Sequence, residues 1–100
     1  MMFRRGEGHV GFVVISKQGR DSGEYYVIVP AAGNVHEKGS NYVWVANGLK
    51  RTIEKPKHKN LAHLQITNTQ VPNIDKLLSG ERVSSNLKLV GFLKQFRSTK

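Results

Sequence analysis

The stretch from His9 to Ile15 reads as a strand that is apolar on both sides. Val10, Phe12 and Val14 fall on one face, Gly11, Val13 and Ile15 on the other. Successive strand side chains point in opposite directions, so this segment needs cover on both faces, inside a closed or doubly covered sheet. In a chain of 100 residues that demand is severe, because such a length builds one small core and one domain. With 38% apolar residues the chain is too hydrophobic for a disordered polycation, and ten glycines against three prolines point to a loop-rich fold.

Further short strands follow. Gln18-Gly19-Arg20-Asp21-Ser22-Gly23 combines residues that supply positive φ and local side-chain to backbone bonds. Glu24 to Val29 then resumes an extended run, closing a first hairpin over residues 9–29. Pro30 to Ser40 is a polar connector. Tyr42 to Ala46, the pair Asn47-Gly48, and Leu49 to Ile53 predict a second hairpin with a two-residue turn. That register sets Ala46 against Leu49, Val45 against Lys50, Trp44 against Arg51 and Val43 against Thr52. Ala62 to Ile66 is a fifth short strand, with Pro56 and its lysines as the loop ahead of it.

The last third changes period. Pro72 suits the first turn of a helix through Ile74, Leu77 and Leu78 that stops at Gly80. A second helix is predicted from an N-cap at Ser84 or Ser85, with Leu87, Val90, Leu93 and Phe96 as its apolar stripe, widened by Leu89 and Phe92. The expected architecture is mainly β: a five-stranded small barrel over residues 9–67, a tail over 1–8 and a helical extension over 68–100.

Charge narrows the partner. Sixteen Lys and Arg face seven Asp and Glu, a formal net charge of +9. Residues 1–48 are near balance with five bases and four acids, whereas Lys50, Arg51, Lys55, Lys57 and Lys59 stand against Glu54 alone. Interrupted by Pro56 and flanked by His58 and His63, this cluster reads as an exposed binding loop, and a polyanion is the expected partner class. The absence of cysteine excludes a disulfide framework, a thiol nucleophile and a thiolate zinc site, and points to the cytoplasm. No run is long enough for a signal's apolar region or a membrane span.

Other chemistries lack their context. Gly6 to Gly11 matches G-x-G-x-x-G, but no strand precedes it and a strand follows where a helix is needed. Gly11-Phe12-Val13-Val14 is only faintly like the aromatic motif of RNA-recognition domains and stands at the wrong place in the chain. The four histidines His9, His36, His58 and His63 gather no carboxylates and do not suggest a metal site. Asp21 and Glu24 read as turn residues, and no spacing sets a base behind a nucleophile, so neither an enzyme, a cofactor nor a small-molecule substrate is expected.

The run Val10 to Val29, with Gly19-Arg20-Asp21-Ser22-Gly23 at its turn, resembles a KOW motif. The later block Ala46 to Gln65, with Lys55-Pro56-Lys57 and His63-Leu64-Gln65, strengthens a resemblance to small bacterial KOW-domain RNA-binding proteins related to a large-subunit ribosomal protein of archaea and eukaryotes. The likeness covers about residues 9–66. Ser22 stands where that family often has lysine, Asn47 replaces a frequent Asp, and Pro30 to Ser40 is longer than the family suggests. The resemblance implies an SH3-like barrel and association with RNA, ribosomal or otherwise structured, within a ribonucleoprotein particle such as the ribosome.

The expected RNA-binding residues are Lys17, Gly19, Arg20, Gly23, Lys50, Arg51, Lys55, Lys57, His58, Lys59 and His63. Glycines let backbone approach a phosphate, Arg20 offers a bidentate fork and the lysines supply point charges. Gly23 serves equally as a plain turn residue, and Trp44 either packs in the core or offers a base-stacking ring. Reversing Lys55, Lys57 and Lys59 together is expected to remove most affinity while leaving the fold intact. The alternative function is a protein-interaction module whose Tyr25, Tyr26, Tyr42 and Trp44 line a peptide groove, distinguished by weak dependence on salt.

Overall fold

The computed structural model describes residues 10–30, 41–72, 74–80 and 82–98. The expected tail over 1–8, His9, most of the Gly6 to Gly11 run, the connector from 31 to 40 with His36, and the last two residues lie outside the described residues. Five strands form one antiparallel sheet: β1 Phe12–Ser16, β2 Tyr25–Val29, β3 Tyr42–Ala46, β4 Lys57–Asn60 and β5 Leu64–Gln70. Their order is β4-β3-β2-β1-β5, so four strands follow as a meander and β5 returns beside β1.

The first hairpin stands as the sequence predicts, with Val13 opposite Val27 and Ile15 opposite Tyr25. The second does not. The predicted strand Leu49 to Ile53 is absent, and β3 pairs instead with residues further on: Val45 with Lys57, Trp44 with His58, Val43 with Lys59 and Tyr42 with Asn60. The Asn47 side chain is the reason. Its Oδ1 accepts the Leu49 and Arg51 amides at 3.0 and 3.1 Å, and the Asn47 and Gly48 amides both donate to the Arg51 carbonyl. A compact loop thereby replaces the two-residue turn, Asn satisfying backbone locally as it does in Asx turns. Ile53, freed from pairing, is buried in the core.

The fifth strand is also displaced. Leu61–His63 forms one 3-10 turn, capped by Asn60, whose Oδ1 accepts the Ala62 amide at 2.9 Å. Ala62 and His63 therefore precede β5, which extends on to Gln70. A register shift between Phe12 and Val14 interrupts the β1–β5 ladder, and the Thr67 hydroxyl donates to the Val13 carbonyl there at 2.8 Å.

That short connection curls the sheet. In a flat sheet the outer strands of five lie about 19 Å apart, yet Asn60 and Leu64 are four residues apart and extended chain of that length spans at most roughly 14 Å. The sheet must bend its two edges toward each other. It does so without a β4–β5 ladder among the described residues, so the sheet is curled and open rather than closed.

The two apolar faces of β1 thereby find different covers. Val14, Tyr26, Ile28, Val43 and Val45 line the concave side and pack with Val10, Leu61 and Leu64. Val13, Val27, Val29, Ala46 and Ile53 line the convex side beneath two helices, α1 Ile74–Ser79 and α2 Arg82–Ser98. Pro72 and Gly80 bracket α1 as predicted.

In α2 the expected stripe holds at Leu89, Phe92, Leu93 and Phe96 but not at Leu87, and the expected N-cap is misplaced. The helix begins before Ser84, and Ser85 is buried inside it, donating its hydroxyl to the Leu77 carbonyl of α1. Leu87 is 66% exposed, while Asn86, Leu89 and Leu93 are buried and Phe92 and Phe96 pack beside them. Residues spaced strictly by three drift about 60° per step around a helix, so Leu87 and Phe96 cannot share one face. Asn86 holds the inner face because it has work there. Its Oδ1 accepts the Ile53 amide at 2.9 Å and its Nδ2 donates to Glu54 at 2.9 Å, tying the compact loop to the helix.

Asn86→Ala strands a buried amide and is expected to cost about 1–3 kcal/mol. Leu87→Ala, on the exposed side of the same turn, should change stability by less than about 0.5 kcal/mol. Denaturant midpoints of the two variants check this contrast.

Candidate functional site

The turn between β1 and β2 is closed by its own backbone. Ser16 and Gly23 bridge its neck, the Ser16 amide donating to Glu24 and the Gly23 amide to Ser16, while the Ser22 and Glu24 amides donate to Gly19 and Asp21. Gly19 and Gly23 sit at φ +93° and +92°, where a side chain is strained. Around Gly23 there is open space for a Cβ, so backbone conformation rather than crowding selects glycine.

Asp21 is the centre of the turn and is more than a turn residue. Its Oδ1 accepts the Lys59 ammonium at 2.7 Å and the Ser16 hydroxyl at 2.8 Å. Its Oδ2 accepts the Tyr26 hydroxyl at 2.8 Å and the Lys57 ammonium at 3.0 Å. Lys59 donates also to the Gln18 carbonyl at 3.1 Å. Burial alone pushes the Asp21 carboxyl up, but the Lys59 bond, followed by those of Tyr26, Lys57 and Ser16, together outweighs it and holds the group far below the usual carboxylate range. For Tyr26, burial first and then the hydrogen bond and charge of Asp21 push the phenol well above its ordinary value; Glu24 adds to this and the Arg51 charge opposes it.

Strand alternation explains which lysines meet Asp21. Lys57 and Lys59 stand opposite Val45 and Val43, whose side chains line the concave face, so both ammonium groups enter the curl. The Lys59 side chain is only 8% exposed and that of Lys57 29%. This corrects their expected place in an exposed loop: both belong to β4, and Lys59 is committed to the fold. It also corrects the expected neutrality of charge reversal toward folding, since acids at 57 and 59 would be brought against Asp21 in a partly dehydrated site.

The remaining predicted residues divide between two places. Lys17, Gly19, Arg20 and Gly23 are exposed on or beside the turn, the Lys17 amide joins it to the His63 carbonyl at 2.9 Å, and Arg51 lies near enough for its charge to reach Tyr26. Lys50 and Lys55 are exposed on the segment between β3 and β4. His58 points the other way. It stacks on Trp44 with ring centres 4.7 Å apart and planes at 28°, and on Tyr42 at 4.6 Å and 31°.

Trp44 is half-buried, packed against the convex cluster, and faces His58 instead of the expected Arg51. The four rings of the expected peptide groove are dispersed: Tyr26 is buried on the concave side, and Tyr25 lies beneath Phe96 and the Arg97 guanidinium. Among the described residues no group of three or more His, Cys, Asp or Glu is placed to hold a metal, and no helix is long and apolar enough to cross a membrane. The role of Asp21 escaped the sequence reading, although Lys57 and Lys59, two apart with an apolar β3 before them, carry the period-two signal that could have found it.

Asp21 has a lower folded than unfolded pKa, so its stabilisation is present above the unfolded value near pH 4 and is lost as pH falls. Melting temperature should therefore drop with acidification below about pH 4.5, and Asp21→Asn should flatten that limb. Lys59→Ala, which leaves Lys57 on Asp21, is expected to cost about 2–3 kcal/mol at neutral pH. Tyr26 has a raised folded pKa, so its contribution holds below about pH 10 and fades above it; Tyr26→Phe should weaken the alkaline loss in the same thermal scans.

Set against known proteins, no family model matches the chain and no curated protein matches it significantly, so the chemistry of its own residues carries the functional argument.

Proposed function

We propose that the chain is a non-enzymatic, KOW-type RNA-binding protein that holds the phosphate backbone of ribosomal or other structured RNA in the cytoplasm. In this reading the curled sheet is an SH3-like small barrel with a helical appendix. The meander, the return of β5 to β1 and the single 3-10 turn ahead of β5 favour that architecture.

The observation that carries the reading is the inward Asp21. An acid turned to solvent here would repel phosphate. Here the carboxylate is spent on Lys57 and Lys59, and the outer side of the turn carries Lys17 and Arg20, both exposed. Two ammonium groups against one carboxylate also leave the cluster itself with an excess positive charge. Glycine at both ends of the turn lets a sugar or phosphate approach the main chain closely, and Arg20 supplies a planar fork for phosphate oxygens.

On the β1–β2 turn and the segment between β3 and β4, the cations open to a ligand are Lys17, Arg20, Lys50, Arg51 and Lys55. If all five neutralise phosphates, log affinity falls against log salt with a slope of about −3.5 on single strands to −4.5 on duplex. A double variant, Lys17→Glu with Arg20→Glu, should lower affinity roughly tenfold or more at low salt while leaving the melting temperature unchanged. Filter binding across a salt series measures both; a slope near zero overturns the reading.

A further inference from the structure

Between the neck of the first hairpin, the compact loop after β3 and the second half of α2 lies an open cavity of about 590 Å³, within the size range of ligand sites. Glu24 and Tyr25 form its hairpin wall, Asn47 and Leu49 its loop wall, and Lys94 and Arg97 its helix wall. The fold itself fixes these walls. Leu93 at the base is buried in the convex core, and Asn47 is held by the bonds that close its loop.

The cavity lies between the two groups of exposed cations. Its hairpin wall follows directly on the turn that carries Lys17 and Arg20, and its loop wall runs straight into Lys50 and Arg51. The Glu24 and Arg51 charges both reach the Tyr26 phenol, so neck and loop stand close together. Helix α2 adds charge of the same sign. From Arg82 to Ser98 the sequence holds four bases and no acid. Lys94 and Arg97, about 60° apart around the helix axis, are both exposed on the cavity wall. The Arg97 guanidinium sits over the Tyr25 ring, 5.4 Å from its centre, a contact that fixes the place of the charge without neutralising it. Glu24 is the only acid among the described lining residues, so the walls carry a net positive charge.

From this juxtaposition we infer that the cavity seats the sugar–phosphate backbone of an RNA strand, with Lys94 and Arg97 of α2 as phosphate contacts that join the turn cations to the loop cations in one track. The inference rests on the RNA-binding reading above and extends its surface to the helix. Such a strand alternates phosphates with less polar sugars. The cavity offers both chemistries, cations on α2 and the exposed Leu49 on the loop side, whereas a polyacidic peptide matches the charge alone. Helix α2 thereby has a second task besides covering the convex core.

The full chain is titrated with oligouridylate, and with polyglutamate of similar charge, across a salt series. Lys94→Glu should lower oligouridylate affinity about fivefold or more at low salt and flatten the log–log slope by about 0.7. Lys88→Glu makes the same change of charge about 120° away around the helix, outside the cavity lining. It should cost less than about twofold and leave the slope unchanged. Glu24→Gln removes a repulsion and should tighten binding. Equal losses in Lys94→Glu and Lys88→Glu report net charge alone, and overturn the cavity's role while RNA binding stands. Parental or weaker binding by Glu24→Gln does the same. A lowered melting temperature with parental affinity in Lys94→Glu assigns that lysine to the helix dipole and overturns its phosphate contact. Polyglutamate bound as tightly as oligouridylate, and weakened by Lys94→Glu, reassigns the cavity to an acidic protein partner and overturns the proposal. No oligouridylate binding by the parent at low salt removes the RNA-binding reading itself, and the inference with it.

Discussion

Two stretches of the chain that are far apart in sequence, the first hairpin and β4, meet on one carboxylate. Asp21 receives Ser16 from β1, Tyr26 from β2, and Lys57 and Lys59 from β4. The main-chain ladders join β1 to β2 and β3 to β4, but nothing in their hydrogen bonding specifies how far the sheet should curl. The short β4–β5 connection bends the two edges toward each other, and the Asp21 cluster ties them there. It brings an edge strand over the concave face to the opposite turn, and it tolerates partial dehydration only while all its members are in place.

The same cluster reconciles two demands on a small basic protein. On the proposed RNA-binding reading, positive charge on the outside attracts a polyanion, but like charges repel and loosen so small a core. Placing one acid among two lysines converts local repulsion into a tie between segments, and confines the acid to the interior. The exposed turn is held rigid from behind by the tie and kept basic in front. Beneath it the two apolar faces of β1 are covered by different means, one by the helices and the other by curvature.

What the sequence revealed and what it hid follow from the range of the interactions. The hairpin around Gly19 and Gly23, the helix between Pro72 and Gly80, and the two-faced burial of β1 are local properties of composition and period, and they stand. The strand after Asn47-Gly48 fails because one side chain, Asn47, satisfies the amides of Leu49 and Arg51 that the ladder would have used. The α2 stripe errs at its start, at Leu87, because Ser85 and Asn86 are polar residues with inward partners, which periodicity counts as outward. Lys59 fails for the opposite reason: a lysine in a basic run resembles every other until its one acidic partner, 38 positions earlier, is known. Arg20 and Lys17 were legible as surface cations; the stacking of His58 on Trp44 was not, since it depends on a register that local turn chemistry misassigned.

The return of β5 to β1 also sets the order in which the chain can complete itself. Phe12 pairs with Gln70, a separation of 58 positions, whereas the two hairpins close over far shorter stretches. Long-range closures of this kind slow folding because chain entropy is lost before contacts reward it. During synthesis the first hairpin leaves the ribosome with one edge of β1 unpaired and both its apolar faces uncovered. The edge stays open until β5 emerges, and the convex face waits longer still, for the helices that follow β5 in the chain.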